Sequence, residues 1–261
     1  MNSDIILQIK EMTMCFGGLT AVDKFSASIE RGSIVGLIGP NGAGKTTCFN
    51  MITGFYKPTR GQVVFQGKDI TGSKPHQVCK SGIARTFQNI RLFTNETVLE
   101  NVMIGCHLRQ KTSWWQAMCY LPASVREERD LVSRSLELLE EVELREFSDE
   151  KANSLPYGAQ RRLEIARALA TQPQFLLLDE PAAGMNPQET QELMAYIRQI
   201  RDKFKLTIML IEHDMKVVMG ICEHMWVLDY GKAIAEGSPD EIKSNPKVIE
   251  AYLGEEAVQH A

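Results

Sequence analysis

The chain has 261 residues, 44% hydrophobic and 24% charged, the composition of a soluble globular protein long enough to bury a substantial core without disulfides or metal. Its 33 acidic and 29 basic residues give a formal net charge of -4, which argues against nucleic acid as the main partner. No apolar run approaches the roughly 20 residues that span a bilayer, and the acidic opening MNSDIILQIKEM does not read as a secretory signal.

In chain order, IILQIKEMTMCF (residues 5–16), FSASIERGSIVGLIG (25–39) and GQVVFQGKDI (61–70) read as short strands between Gly-rich turns. They suggest a small antiparallel layer leading into SIVGLIG, whose near-continuous apolar run fits a parallel strand covered on both faces. A glycine loop follows at once, then a helix from about Lys45. From about Arg91 to Asn153 the character changes: NETVLENVMIG and SVREERDLVSRSLELLEEVEL carry helical periodicity and many charges, the pattern of an inserted helical lobe. Strands and helices then alternate: a helix at 160–170 with Gly158 just before it, a strand at 175–179, a helix at 187–204, a strand at 207–212, a helix, and a strand at 225–229. Such alternation means an α/β fold with a mostly parallel sheet. The expectation is one domain over 5–254, with its core in 5–90 and 154–254, the lobe at about 91–153, and a polar frayed tail at 255–261. Six dispersed cysteines (Cys15, Cys48, Cys79, Cys106, Cys119, Cys222) make no C-x-x-C pair, so reduced thiols in the cytosol are expected rather than a zinc site.

Chemistry concentrates in a few phrases. GPNGAGKTT (residues 39–47) matches G-x-x-x-x-G-K-[ST] after a strand and at the opening of a helix. Within the loop, which includes Pro40 and Asn41, Gly39, Gly42 and Gly44 would let the backbone wrap a phosphate, and the N–H groups around Ala43 to Thr46 would donate to it. Lys45 would reach the β/γ-phosphates, with Thr46 and Thr47 following and the Thr46 hydroxyl placed to ligate Mg²⁺. FLLLDEP ends a buried strand in Asp179, a metal ligand, and Glu180, placed to orient or deprotonate an attacking water. TIMLIEHD brings His213 to a strand's C-terminal mouth, where open α/β sheets bind ligands; a structural histidine is the competing reading. LPYGAQRR, with Leu155, Pro156, Tyr157, Gly158 and Ala159, offers a second glycine-bearing helix N-terminus and hence a second anion grip.

The ordered set GPNGAGKTT, RTFQ, LPYGAQ, FLLLDEP and IEHD resembles the nucleotide-binding subunits of ABC transporters over essentially the whole chain. The resemblance implies a P-loop NTPase (RecA-like) core with ATP and Mg²⁺ as cofactors. It also implies that Gln88 is a metal-site and γ-phosphate sensor, that His213 contacts the γ-phosphate beside Glu180, and that Phe16 stacks on adenine. A core position for Phe16 in the series Met12, Met14, Phe16 is the alternative. It implies too that the segment 155–159 closes on ATP held by the other subunit of a head-to-tail dimer.

Finer phrases (FGGLTAVD, ARTFQNIRLFTNETVLENV, LDEPAAGMNP, AYLGE) resemble the larger ATP-binding subunit of branched-chain amino acid importers. That implies a second, related ATPase subunit, two membrane permease subunits and, indirectly, a periplasmic or extracellular solute-binding protein, with the chain peripheral on the cytoplasmic face of the plasma membrane. Related cassettes serve urea and other amides or lipopolysaccharide-type export, and soluble ABC ATPases act on ribosomes or DNA; the single cassette and acidic balance favour transport. The apolar residues Ile90, Leu92, Phe93, Val98 and Leu99 are expected to receive a helix of the membrane subunits or to form the lobe's small core. Trp114 and Trp115 mark a partner contact or an amphipathic packing segment. Two departures from the family pattern, Pro156 for a serine and Asn186 for a common aspartate, predict unequal ATP sites.

Overall fold

The computed structural model describes residues 4–109 and 122–259. Its contacts divide into two units: Met1–Arg85 with Gln174–Ala261, and Thr86–Pro173. In the first, β1 (Ile5–Phe16), β2 (Leu19–Glu30), β3 (Ile34–Ile38), α1 (Lys45–Ile52), β4 (Arg60–Phe65), β5 (Lys68–Asp69), α2 (Pro75–Ser81) and β6 (Ile83–Arg85) follow in order. The second unit carries α3 (Val98–Cys106), α4 (Pro122–Glu141) and α5 (Tyr157–Ala170). The chain then returns to the first through β7 (Phe175–Asp179), α6 (Pro187–Phe204), β8 (Thr207–Ile211), α7 (Met215–Ile221), β9 (His224–Asp229), β10 (Lys232–Gly237), α8 (Pro239–Lys243) and α9 (Pro246–Gln259).

The α/β unit has two sheets. One is antiparallel, in the order β2-β1-β4-β5; the other runs β10-β9-β3-β8-β7-β6, with every pairing from β9 to β6 parallel and only β10 antiparallel. All residues of β3, β7 and β8 are buried, as their unbroken apolar runs require of strands covered on both faces. In β2, by contrast, Phe25, Ala27 and Ile29 are buried and the residues between them exposed, the period of a strand with one wet face. Both sheets feed one apolar cluster that includes Ile9, Phe25, Phe49, Leu37, Met209 and Trp226.

In the helical unit, Thr97 caps α3 by accepting from the Glu100 N–H, and Glu100 accepts in return from the Thr97 N–H, a capping box. Gly105 lets α3 lie against α5, because a Cβ there would stand 2.5 Å from the Arg167 carbonyl oxygen. Amides of Val98 and Leu99 donate to Glu150 and Ser148 carbonyls, and Ala152 donates to Glu96, so the chain before α5 is laced to the start of α3.

Three boundaries differ from the sequence reading. The helical unit spans 86–173 rather than 91–153, because α5 packs on α3 and α4 and so leaves the core expected to begin again at 154. The helix expected at 160 begins at Tyr157, with Gly158 inside its first turn; glycine costs a helix only about 1 kcal/mol of backbone entropy, which does not stop the helix from starting before it. α9 continues to Gln259, beyond the expected end of the domain at 254. Trp114, Trp115 and Cys119 lie outside the described residues.

Candidate active site

The phosphate loop joins β3, between β8 and β9 in the sheet, to α1. Two of its glycines are obligatory. Gly39 (φ +147°) would push a Cβ to 2.0 Å from the Leu228 carbonyl oxygen, and Gly44 (φ +103°) would push one to 2.5 Å from that of Ala21. Between them, Ala43 donates to the Pro40 carbonyl and accepts from the Gly231 N–H, which ties the loop to the β9–β10 turn. No added Cβ on Gly42 would meet an atom within 4 Å, so the loop's crown is open to an incoming group. Lys45 is buried, and its ammonium donates to the Gly39 and Pro40 carbonyls at 2.6 and 2.8 Å. The next residue, Thr46, is exposed. A lysine folded over its own glycine loop at the head of a helix is a polyanion grip.

The parallel register sets Asp179 beside Ile211 and Leu37 beside Ile211, so the ends of β3, β8 and β7 share one edge of the sheet. Asp179 is buried and paired with Arg85 at 2.6 Å; the same guanidinium donates to Asn50 Oδ1 at 2.7 Å. Glu180 follows in the left-handed region (φ 46°), a conformation that costs a non-glycine residue of order 1 kcal/mol and clusters at functional sites. Its N–H donates to the Ile211 carbonyl, which fixes the turn. The Glu180 carboxylate lies 3.5 Å from His213 Nδ1, and the imidazole is otherwise largely exposed.

Sequence reasoning missed the residue beneath this pair. Glu212 is buried; it accepts from the Ala182 N–H at 2.9 Å and the His213 N–H at 3.3 Å, and stands 3.8 Å from His213 Nδ1. Burial raises its pKa above the ordinary glutamate range, against hydrogen bonds that lower it. The signal was present in IEHD, where a carboxylate ends an apolar strand immediately before the histidine. Among the described residues no three His, Cys, Asp or Glu side chains gather to hold a metal by themselves.

Phe16 ends β1 at 43% exposure, edge-on to Tyr56 at 5.4 Å between centroids. Met12 of the same series is buried, so the core alternative does not hold for Phe16: the strand leaves the core before its last residue. Asn186, read as a departure with consequences for symmetry, caps α6 by accepting from the Gln188 and Glu189 N–H groups. Aspartate would cap there equally well, and the substitution carries no asymmetry through this contact.

Gln88 and the segment 155–159 belong to the helical unit. Gln88 is exposed, and its carbonyl accepts from Arg161 at 2.9 Å. Pro156 precedes α5 with extended backbone (ψ 153°) and no side-chain cap. The first helical bond is from the Gln160 N–H to the Pro156 carbonyl, so the N–H groups of Tyr157, Gly158 and Ala159 lie in the first turn at the positive end of the dipole. Tyr157 is 45% exposed.

Comparisons with known proteins place the chain in a family. A family model described as ABC transporter matches residues 22–183, and one described as branched-chain amino acid ATP-binding cassette transporter matches 234–258. The high-affinity branched-chain amino acid transport ATP-binding protein BraF of Pseudomonas aeruginosa is 47% identical, over 96% of this chain and 98% of its own. The corresponding protein LivG of Salmonella typhimurium is also 47% identical, over 97% and 99%. The crystal structure of the ADP conformation of an ATP-binding cassette of an ABC transporter superposes with a TM-score of 0.84 at 35% identity, covering 96% of this chain and 99% of that one. The chain therefore belongs to the ABC transporter family, as one of its ATP-hydrolysing, nucleotide-binding subunits.

Proposed function

We propose that the chain powers an importer of branched-chain amino acids. The observation that carries this reading is the likeness to branched-chain amino acid transport ATP-binding proteins along nearly the full length of both chains. The test is to purify the assembled transporter through this subunit, identify its membrane subunits, and measure ATP-driven uptake. Uptake of leucine, isoleucine and valine is expected; a complex that moves urea or amides and not these amino acids would overturn the reading.

In this reading the phosphate loop cradles the ATP phosphates and Lys45 exchanges its loop carbonyls for phosphate oxygens. Phe16 offers its open face to adenine, with Tyr56 supporting the ring. Thr46 and Asp179 would hold a Mg²⁺ as hard oxygen donors, and the family resemblance assigns Gln88 the sensing of that ion and of the γ-phosphate. When bound, the ion neutralises charge developing on the transferred phosphoryl group. Glu180 orients and deprotonates the attacking water, and His213 contacts the γ-phosphate beside it. Arg85 holds Asp179 in its buried position.

The partner we infer is a second, related ATPase subunit, closing head to tail so that 155–159 grips the ATP bound by the other chain, with two permease subunits above and the whole chain peripheral on the cytoplasmic face. No helix among the described residues is long and apolar enough to cross a membrane, which fits a subunit that docks. Phe93 is the docking candidate: its side chain is 48% exposed, while Asn101 holds its N–H and carbonyl, each at 3.0 Å. Val98 instead is fully buried in the lobe, so the apolar group expected for docking divides between the two roles.

Pro156 supplies neither hydroxyl nor N–H, so one hydrogen bond to the γ-phosphate across the dimer is missing. That deficit is worth about 1.5–3 kcal/mol, or roughly tenfold to a hundredfold in rate, and it falls on the partner's ATP. Pro156→Ser in the assembled transporter is expected to raise turnover at the partner's site; unchanged turnover, with equal losses from Glu180→Gln here and the matching change in the partner, would show two equivalent sites.

A further inference from the structure

One side chain in the helical unit touches both segments that the preceding reading assigns to phosphate sensing. Arg161, on the first turns of α5, is fully buried. Its Nη1 donates to the Phe87 carbonyl at 2.7 Å and to Glu164 Oε2 at 2.8 Å. Its Nη2 donates to the Gln88 carbonyl at 2.9 Å and, more weakly, to the Tyr157 hydroxyl at 3.4 Å. Glu164, also buried, completes the arrangement from below: its Oε1 accepts from the Phe87 N–H at 3.3 Å and the Arg91 N–H at 3.2 Å. Both backbone groups of Phe87, the carbonyl of Gln88 and the amide of Arg91 are therefore held by one ion pair. The Arg91 guanidinium lies 4.1 Å over the Phe87 ring, which stiffens the same stretch.

A pair of buried charges needs a reason. Two ions removed from water recover their desolvation only with good geometry and further hydrogen bonds, and apolar residues of the same volume often serve stability as well. Here the further bonds all go to one five-residue stretch, 87–91, and to Tyr157 in the segment 155–159. A planar fork can grip two successive carbonyls at once, which a lysine ammonium on its single point cannot reproduce. The consequence is geometric: Gln88 cannot shift relative to the head of α5 without breaking bonds to a buried guanidinium.

We propose that Arg161, seated by Glu164, is a positioning residue that ties the Gln88 loop to the signature segment Leu155–Ala159, so that the two segments move as one piece. This rests on the reading of Gln88 and 155–159 as phosphate-sensing segments. It also assigns Tyr157 a use within its own chain, as the hydroxyl that joins the signature to the fork.

The test uses Arg161→Lys and, as a second variant should that one fail to fold, Glu164→Gln, both in the assembled transporter. Hydrogen exchange at the amides of Phe87 and Arg91, which report local opening, is expected to quicken by about tenfold or more, and kcat to fall about tenfold. ATP-binding stoichiometry and the KM for ATP are expected to stay near wild type, because the phosphate loop is untouched. A merely structural role would lower stoichiometry and leave per-site kcat alone. Wild-type exchange across 86–92 in a folded variant, or wild-type kcat despite faster exchange, would overturn the proposal. Gln88→Ala separates the two ideas: if it leaves kcat and its Mg²⁺ dependence unchanged, the sensing role fails, while the exchange result still reports the tie.

Discussion

The two units each bury an arginine–carboxylate pair, and the pairs are built differently. Arg85 meets Asp179 through one oxygen at 2.6 Å and shares its guanidinium with Asn50, at the edge of the sheet where the phosphate loop begins. Arg161 and Glu164 instead use both carboxylate oxygens and both terminal nitrogens on each other, on two carbonyls and on two amides. The first pair leaves its aspartate an oxygen to offer; the second leaves its glutamate none. In the proposed reading, the carboxylate that meets a metal keeps an oxygen for it, and the one that holds backbone is consumed entirely. Burial and charge do not separate these uses; what remains on the carboxylate does.

Removing the cation from each pair sharpens that contrast. Arg161→Ala leaves Glu164 buried and uncompensated and frees the Phe87 and Gln88 carbonyls, so a loss of about 3–5 kcal/mol is expected. Arg85→Ala should cost less, about 1–3 kcal/mol, because in the proposed reading a bound Mg²⁺ also meets Asp179. Thermal unfolding with and without ATP and Mg²⁺ distinguishes them further: ligand should recover more stability in Arg85→Ala than in Arg161→Ala. Equal recovery would erase the distinction.

The smallest effect concerns a buried carboxylate with no arginine. Glu212 has two amides and His213 for company, and burial raises its pKa. A group whose folded pKa lies above its unfolded value lends stability that is complete below the unfolded pKa and lost as pH rises through the folded one. Glu212→Gln does not titrate, so its stability should gain on wild type as pH rises from below the ordinary glutamate value of 4.5. Parallel pH–stability curves for the two proteins would contradict this, and would put Glu212 with Glu164 as a satisfied anion.

Much of this was legible before any coordinates. The strands at 34–38, 175–179 and 207–211 were readable because burial on both faces leaves an uninterrupted apolar run. The loop at 39–47 was readable because a phosphate grip fixes its glycines and lysine at set spacings. β6 has three residues, too few to carry a period. The start of α5 was hidden because Gly158 looks like a boundary, whereas a first-turn glycine is tolerated. The two ion pairs were hidden for opposite reasons. Arg85 and Asp179 are 94 positions apart, and no local rule joins them. Arg161 and Glu164 are three apart, the spacing of an ordinary exposed helix pair, and only the fold reveals that they are buried.

The central claim is that the acidic end of β7 does chemistry rather than hold nucleotide, and Glu180→Gln tests it most directly. Gln keeps the left-handed turn, the contact with Ile211 and the volume beside His213, and removes only the base. In the assembled transporter, ATP binding is expected to persist while turnover falls by about a hundredfold to ten-thousandfold, with ATP retained in a closed dimer. Turnover at the wild-type rate with normal binding would contradict the account and require another base for the attacking water.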